Sequence, residues 1–135
     1  MSQVRAVLII DDEFIILESL RIQLSRILDD SILLEVASSG EEAFAIINEF
    51  HDSGPELCMV ISDFHLDDIK GTEILTYAHE KFPNSKKIIL SGQSDTGLIN
   101  DFDNRIGLYD RFSKPWEFEE IKASIHKAIY SDRTD

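Results

Sequence analysis

The chain has 135 residues and a formal net charge of −13, with 26 acidic and 13 basic residues. Hydrophobic residues make up 43% of it, which is enough for one core and excludes a disordered acidic tail. A charge this negative argues against direct binding to nucleic acid or to an anionic membrane, because phosphate contacts need Lys and Arg. We predict one domain over residues 1–135, with its core at about 4–130 and a frayed tail at 131–135.

The sequence indicates a cytoplasmic protein. Its apolar runs fall short of the roughly 18 residues of a membrane-spanning helix, and the N-terminus lacks the long apolar stretch of a signal peptide. Cys58 is the single cysteine, so no internal disulfide can form. One thiol in an apolar run suits a reducing compartment.

Short apolar runs alternate with helical patterns along the whole chain. Continuous apolar runs are typical of strands buried on both faces, and they predict strands at residues 4–10, 32–37, 57–62 and 87–90, with a less regular fifth at 108–112. Apolar residues at three- and four-residue steps predict a helix after each strand, within residues 17–28, 43–50, 74–82, 98–102 and 121–129. Strand–helix alternation predicts a doubly wound α/β fold with a five-stranded parallel sheet.

Polar residues follow these strands at the edge where an open parallel sheet binds its ligands. Asp11 and Asp12 come after the first strand, Asp63 ends the third, Ser91 ends the fourth and Lys114 follows the fifth. Clustered carboxylates repel one another unless a cation joins them, and hard oxygen ligands are those that Mg²⁺ prefers. A metal-bound aspartate can act as a nucleophile towards a phosphoryl group, with a lysine and the metal balancing the charge.

These residues, in this order and at these spacings, resemble the receiver domain of two-component response regulators of the chemotaxis-regulator type. The resemblance covers about residues 4–130 and rests on Asp11, Asp12, Asp63, Gly71, Ser91, Lys114 and Pro115. It implies a flavodoxin-like (βα)5 fold with strand order 2-1-3-4-5. It also implies that the chain is not a conventional enzyme and performs only Mg²⁺-dependent self-phosphorylation and autodephosphorylation.

The resemblance assigns a role to each member of the metal and phosphoryl site. Asp63 would be the phosphoacceptor. Asp12 would bind Mg²⁺ or Mn²⁺ directly, Asp11 directly or through water, and Asp63 and the backbone carbonyl of His65 would complete the protein ligands. Lys114 would pair with the phosphoryl group or with Asp63, and a cis peptide would precede the following proline.

Further residues are implied to control switching and signal lifetime. Ser91 would bind a phosphoryl oxygen and act as the switch hydroxyl, and the side chains of His65 and Gln93 would tune the attack of water. The sequence departs from the family at two places: Asp67 stands where a proline is frequent, and Arg111 stands where the switch aromatic is usual. We expect Arg111 to pair with an acid on the signalling face.

The resemblance implies protein partners on both sides of the signal. A sensor histidine kinase or a phosphotransfer protein would supply the phosphoryl group. A downstream effector protein, or an output domain outside this chain, would read the face formed by the fourth helix, fifth strand and fifth helix.

Three alternatives stay open from the sequence. The chain could be an interaction module that works without phosphorylation, although its intact acid set argues against that. It could be an aspartyl-phosphate phosphatase of the haloacid-dehalogenase type, although the second aspartate expected two residues after the nucleophile is absent. It could also be a receiver excised from a longer regulator.

Overall fold

The structure is a computed structural model that describes residues 4–92 and 95–130, so Gln93 and the predicted frayed tail lie outside the described residues. Strands and helices alternate as predicted. The strands are β1 (Arg5–Ile10), β2 (Ile32–Ala37), β3 (Glu56–Asp63), β4 (Lys86–Ser91) and β5 (Asp110–Ser113), and the helices are α1 (Phe14–Ile27), α2 (Gly40–Ser53), α3 (Gly71–Lys81), α4 (Thr96–Arg105) and α5 (Phe118–Tyr130).

The five strands form one parallel sheet in the order β2-β1-β3-β4-β5, which confirms the predicted fold class and strand order. The direction of winding reverses between β1 and β3, and ligands of such sheets bind beyond the strand ends at this point. Ile10 of β1 pairs with Ser62 of β3. The residues that follow these two, Asp11 and Asp63, therefore lie side by side at the carboxyl edge of the sheet.

Helices cover both faces of the sheet, which explains the continuous apolar strands. In β1, Ala6, Leu8 and Ile10 pack into a core with α2, α3 and α4. The alternate residues Val7 and Ile9 pack into a second core with α1 and α5. Every residue of the strand interior is thus buried, whichever face it points to.

The fifth strand begins and ends later than the sequence predicts, at Asp110–Ser113 instead of residues 108–112. It is an edge strand whose one partner among the described strands is β4, and its residues alternate between half-buried and exposed. An apolar run is therefore a poor guide to its bounds. Phe112 packs against the core on the α1 and α5 side, whereas its neighbour Arg111 is exposed.

The N-terminus of α2 is held by capping contacts. The Ser39 hydroxyl accepts a hydrogen bond from the backbone N–H of Glu42 over 3.1 Å, and the Glu42 carboxylate accepts one from the N–H of Ser38 over 2.7 Å. Glu41 and Glu42 also place negative charge in the first turn, where the helix dipole favours it. This fixes the N-terminus of α2 beside the strand ends.

Candidate functional site

Three carboxylates meet at the carboxyl edge of β1 and β3. One oxygen from each of Asp11, Asp12 and Asp63 lies within 4.8 Å of the others. Asp11 is fully buried and Asp63 is 6% exposed, while Asp12 is half-buried. The structure thus brings together the three acids that the sequence singled out.

Lys114 supplies the positive charge of the cluster. Its Nζ lies 3.0 Å from Asp11 Oδ2, 3.1 Å from Asp63 Oδ1 and 3.4 Å from Glu13 Oε1. The backbone N–H of Lys114 donates to the carbonyl of Ser91 over 3.0 Å, which holds the end of β5 against β4. The Lys114–Pro115 peptide bond is cis, as the resemblance implies.

One lysine does not neutralise the acids around it, and the pKa values reflect this. Burial raises the pKa of the Asp63 carboxyl, and the charge of Asp11 raises it further, against the opposing effect of Lys114. For Lys114, burial alone would lower the pKa of the amine, but its contacts with Asp11 and Asp63 together raise that pKa above its ordinary value. The lysine therefore stays charged, and excess negative charge remains on the carboxylates.

The fit of a cation to this cluster can be tested on Asp11. Its Oδ1 accepts a hydrogen bond from the N–H of Glu13 over 2.9 Å, whereas its buried Oδ2 has no aligned hydrogen-bond donor among the described residues. Oδ2 forms an ion pair with Lys114 Nζ over 3.0 Å. The same ammonium is shared with Asp63 and Glu13, so it leaves net negative charge on buried carboxylates, which a hard divalent cation would neutralise. The donor set therefore fits Mg²⁺.

Gly71 lets α3 begin directly against the end of β3. A Cβ at this position would lie 2.1 Å from the carbonyl oxygen of Asp63, which is backbone and cannot move aside cheaply. The N–H of Gly71 instead donates to the carbonyl of Phe64 over 2.9 Å. Glycine is required here by close approach, and this packing sets the position of the Asp63 backbone.

The loop between β3 and α3, residues 64–70, makes contacts that the sequence did not predict. At its tip, the N–H of Asp67 donates to Asp12 Oδ2 over 2.7 Å, and Asp68 accepts hydrogen bonds from the start of α2. At its base, Nε2 of the exposed His65 lies 3.0 Å from Oδ1 of the buried Asp95. The loop is thus tied to three neighbouring segments.

Ser91 and Arg111 lie in a groove between α4 and β5, which is lined also by Thr96, Ile99 and Phe112. Ser91 is buried at the end of β4, one residue beyond Leu90, the partner of Asp63 in the sheet. Arg111 Nη2 lies 3.7 Å from Oδ2 of Asp103 in α4. The ion pair expected for Arg111 is therefore present on this face.

The sequence and the site together define the class of the protein. The family described as the response regulator receiver domain matches residues 7–126. The chain belongs to this family, and it is a receiver domain of two-component signalling. Domains of this kind bind Mg²⁺ at an acidic pocket, and they are generally not enzymes in their own right. The match favours this interpretation over a haloacid-dehalogenase-type phosphatase.

Individual relatives agree with the family. The chain is 27% identical, over 91% of its length, to the hydrogenase transcriptional regulatory protein HoxA of Cupriavidus necator, and it spans 24% of that protein. It is similar to the signal receiver domain of an HD domain-containing protein from Pseudomonas fluorescens Pf-5, with 27% identity, a TM-score of 0.80 and coverage of 98% of this chain and 94% of that one. A response regulator receiver domain protein from Clostridium thermocellum gives 26% identity, a TM-score of 0.79 and coverage of 96% and 97%.

None of the helices within residues 4–92 and 95–130 is both long enough and apolar enough to cross a membrane.

Proposed function

We propose that Asp63 accepts a phosphoryl group from a phosphohistidine of a sensor histidine kinase or a phosphotransfer protein. The observation that carries this proposal is the convergence of Asp11, Asp12 and Lys114 around the Asp63 carboxylate. We further propose that residues 1–135 form a single receiver domain, which the family match over residues 7–126 supports.

The proposed reaction is a transfer between nitrogen and oxygen. A carboxylate oxygen of Asp63 forms a bond to phosphorus while the bond from phosphorus to the donor imidazole nitrogen breaks, and the freed imidazole takes up a proton. Asp63 must be ionised to attack, and Lys114, 3.1 Å from its Oδ1, favours that form. Mg²⁺ held by Asp11, Asp12, Asp63 and the His65 carbonyl would neutralise charge on the phosphoryl oxygens.

The groove between α4 and β5 supports a proposal for the output. A phosphoryl group on Asp63 would attract the Ser91 hydroxyl and the Lys114 amine, both at neighbouring strand ends. Movement of Ser91 would change the lining that it shares with Arg111, and with it the face of α4, β5 and α5. Such a local change of charge can bias an element with two arrangements. A downstream effector protein, or an output domain, would read that face.

Acetyl phosphate tests the acceptor assignment, because it supplies a phosphoryl group without a kinase. We expect the intact mass to rise by about 80 Da, the mass of one phosphoryl group, when Mg²⁺ is present, and we expect no gain with EDTA or in Asp63→Asn. Labelling of Asp63→Asn would show that another residue is the acceptor. An unlabelled wild-type protein that folds and binds Mg²⁺ would favour a module that works without phosphorylation.

His65 is expected to set the lifetime of the phosphorylated state. Its ring stands two residues past Asp63 and is held by Asp95, so His65→Ala should open the path of attacking water and speed dephosphorylation. Displacing an attacking group by about 1 Å can change a rate up to roughly a hundredfold, and we expect at least a severalfold change. Gln93→Ala is expected to act similarly, on the strength of the resemblance alone.

Decay of the labelled protein under excess Mg²⁺, followed by intact mass, measures this lifetime. His51→Ala is the matched control, because His51 is an exposed histidine of α2. Its decay rate should equal that of the wild type. Equal rates for His65→Ala and the wild type would mean that the His65 ring does not reach the path of the water.

A further inference from the structure

We propose that the backbone N–H of Asp67 positions the Asp12 carboxylate and thereby sets the affinity of the cluster for Mg²⁺. This inference rests on the proposed function, since it takes the three aspartates as the metal ligands. The N–H donates to Asp12 Oδ2 over 2.7 Å and joins residues 55 positions apart in the chain. Asp67 itself is exposed, and the contact uses its main chain.

The donor is held in place by contacts that do not involve Asp12. The Asp68 carboxylate accepts hydrogen bonds from the backbone N–H groups of Gly40 and Glu41, each over 3.0 Å. These N–H groups have no acceptor within α2 because they stand at its start, where the helix dipole also favours a carboxylate. The same hydrogen bonds lower the pKa of the Asp68 carboxyl, because they favour its ionised form.

The close approach of the loop to α2 depends on the glycine at its contact point. A Cβ on Gly40 would lie 1.9 Å from Cγ2 of Ile69 and 3.1 Å from Oδ1 of Asp68. At the base of the loop, His65 and Lys70 form an antiparallel bridge. Both ends and the tip are therefore fixed, and the N–H of Asp67 remains directed at Asp12 as a consequence of the fold.

In this chain the hydrogen bond opposes the repulsion between Asp12 and its acidic neighbours. Asp12 is half-buried beside Asp11 and Asp63, and without a partner its carboxylate would be driven by like charge towards solvent. The Asp67 N–H holds Oδ2 and offsets part of its charge, and a carboxylate that accepts one hydrogen bond keeps further lone pairs for a cation. Hydrogen-bond donors to ligating carboxylates typically change metal affinity 10- to 100-fold when they are lost.

Proline at position 67 removes the donor, since every other residue supplies an N–H. We would titrate Mg²⁺ calorimetrically into the metal-free wild type, Asp67→Pro and Asp67→Ala. Both variants lack the Asp67 carboxylate, so their difference removes the effect of that side chain and leaves the loss of the N–H together with the backbone restriction that proline imposes. We expect the dissociation constant to rise about tenfold or more in Asp67→Pro and to stay within about twofold of the wild type in Asp67→Ala.

Two further measurements keep the inference testable if Asp67→Pro fails to fold. Asp68→Ala retains the N–H and the three aspartate ligands but releases the loop tip, so it should weaken Mg²⁺ binding. The amide hydrogen of Asp67 should exchange slowly in the metal-free wild type and faster in Asp12→Ala.

The outcomes separate this inference from the proposed function. A wild type that binds no Mg²⁺ would contradict the proposed function itself. A wild type that binds Mg²⁺ with the same affinity as Asp67→Pro would overturn the inference alone. Equal weakening in Asp67→Pro and Asp67→Ala would also overturn it, because the side chain would then be the group that acts.

Discussion

Lys114→Met is expected to lower the free energy of unfolding by about 3 kcal/mol at neutral pH in EDTA, the range seen when one partner of a buried ion pair is removed. The ammonium lies 3.0 Å from the fully buried Asp11 and 3.1 Å from Asp63. Methionine replaces most of the apolar stem of the lysine side chain but carries no positive charge. The two carboxylates would then remain buried beside each other without a counter-charge. Urea denaturation of both proteins measures the difference.

The loss of unfolding free energy in Lys114→Met should depend on pH. The titration of the Asp63 carboxyl sets the direction of that dependence. Its pKa is already raised by burial and by Asp11, and removing Lys114 raises it further. A group with a raised pKa stabilises the fold fully below its unfolded pKa, about 3.9 for aspartate, and that stabilisation is lost as the pH rises through its folded pKa. The difference between Lys114→Met and the wild type should therefore be small below about pH 4 and largest at neutral pH.

Two companion variants test the cause of this loss. Lys127→Met changes an exposed lysine of α5 and should alter the free energy of unfolding by less than about 0.5 kcal/mol. Adding Asp63→Ala to Lys114→Met should restore part of the stability, because one of the unpaired charges is removed. A loss for Lys114→Met that is the same at every pH, or that Asp63→Ala does not relieve, would contradict this account.

Much of the site follows from where the strands end, and the sequence marks those ends clearly. Runs such as residues 4–10 and 57–62 are apolar because helices cover both faces of the sheet, and the first polar residues after them are those that leave the sheet at its edge. Asp11, Asp63 and Lys114 were predicted for this reason, and the structure brings them into contact. The edge strand β5 was misplaced because it has one strand neighbour and no continuous apolar run.

The contacts of the β3–α3 loop could not be predicted in the same way. Asp67 acts through a backbone N–H that nearly every residue possesses, so its identity carries no signal for the contact. The contact of Asp68 depends on how closely the loop approaches α2, which only the packed chain determines. The sequence did point to an acid partner for Arg111, but the choice of Asp103 depends on where α4 packs relative to β5.

Magnesium is expected to stabilise the folded protein in proportion to its occupancy of the acidic cluster. An ion that binds only the folded state adds about 2.7 kcal/mol at one hundred times its dissociation constant. Thermal melts in EDTA and at rising MgCl₂, with NaCl added to match ionic strength, measure the shift. Asp12→Asn should reduce it, because a carboxamide carries no charge and is a weaker ligand for a hard cation.

Stabilisation by Mg²⁺ should be largest in Lys114→Met, because the lysine and a metal ion relieve the same repulsion among the carboxylates. With the ammonium absent, the potential at Asp11 and Asp63 is more negative, so a divalent cation should bind more tightly than in the wild type. Saturating Mg²⁺ should therefore stabilise Lys114→Met by more than it stabilises the wild type, and part of the loss seen in EDTA should be recovered. Identical melting midpoints with EDTA and with millimolar Mg²⁺, in both proteins, would show that the three carboxylates do not hold the ion. A rise of the same size in Asp12→Asn as in the wild type would place the ion elsewhere on this acidic chain.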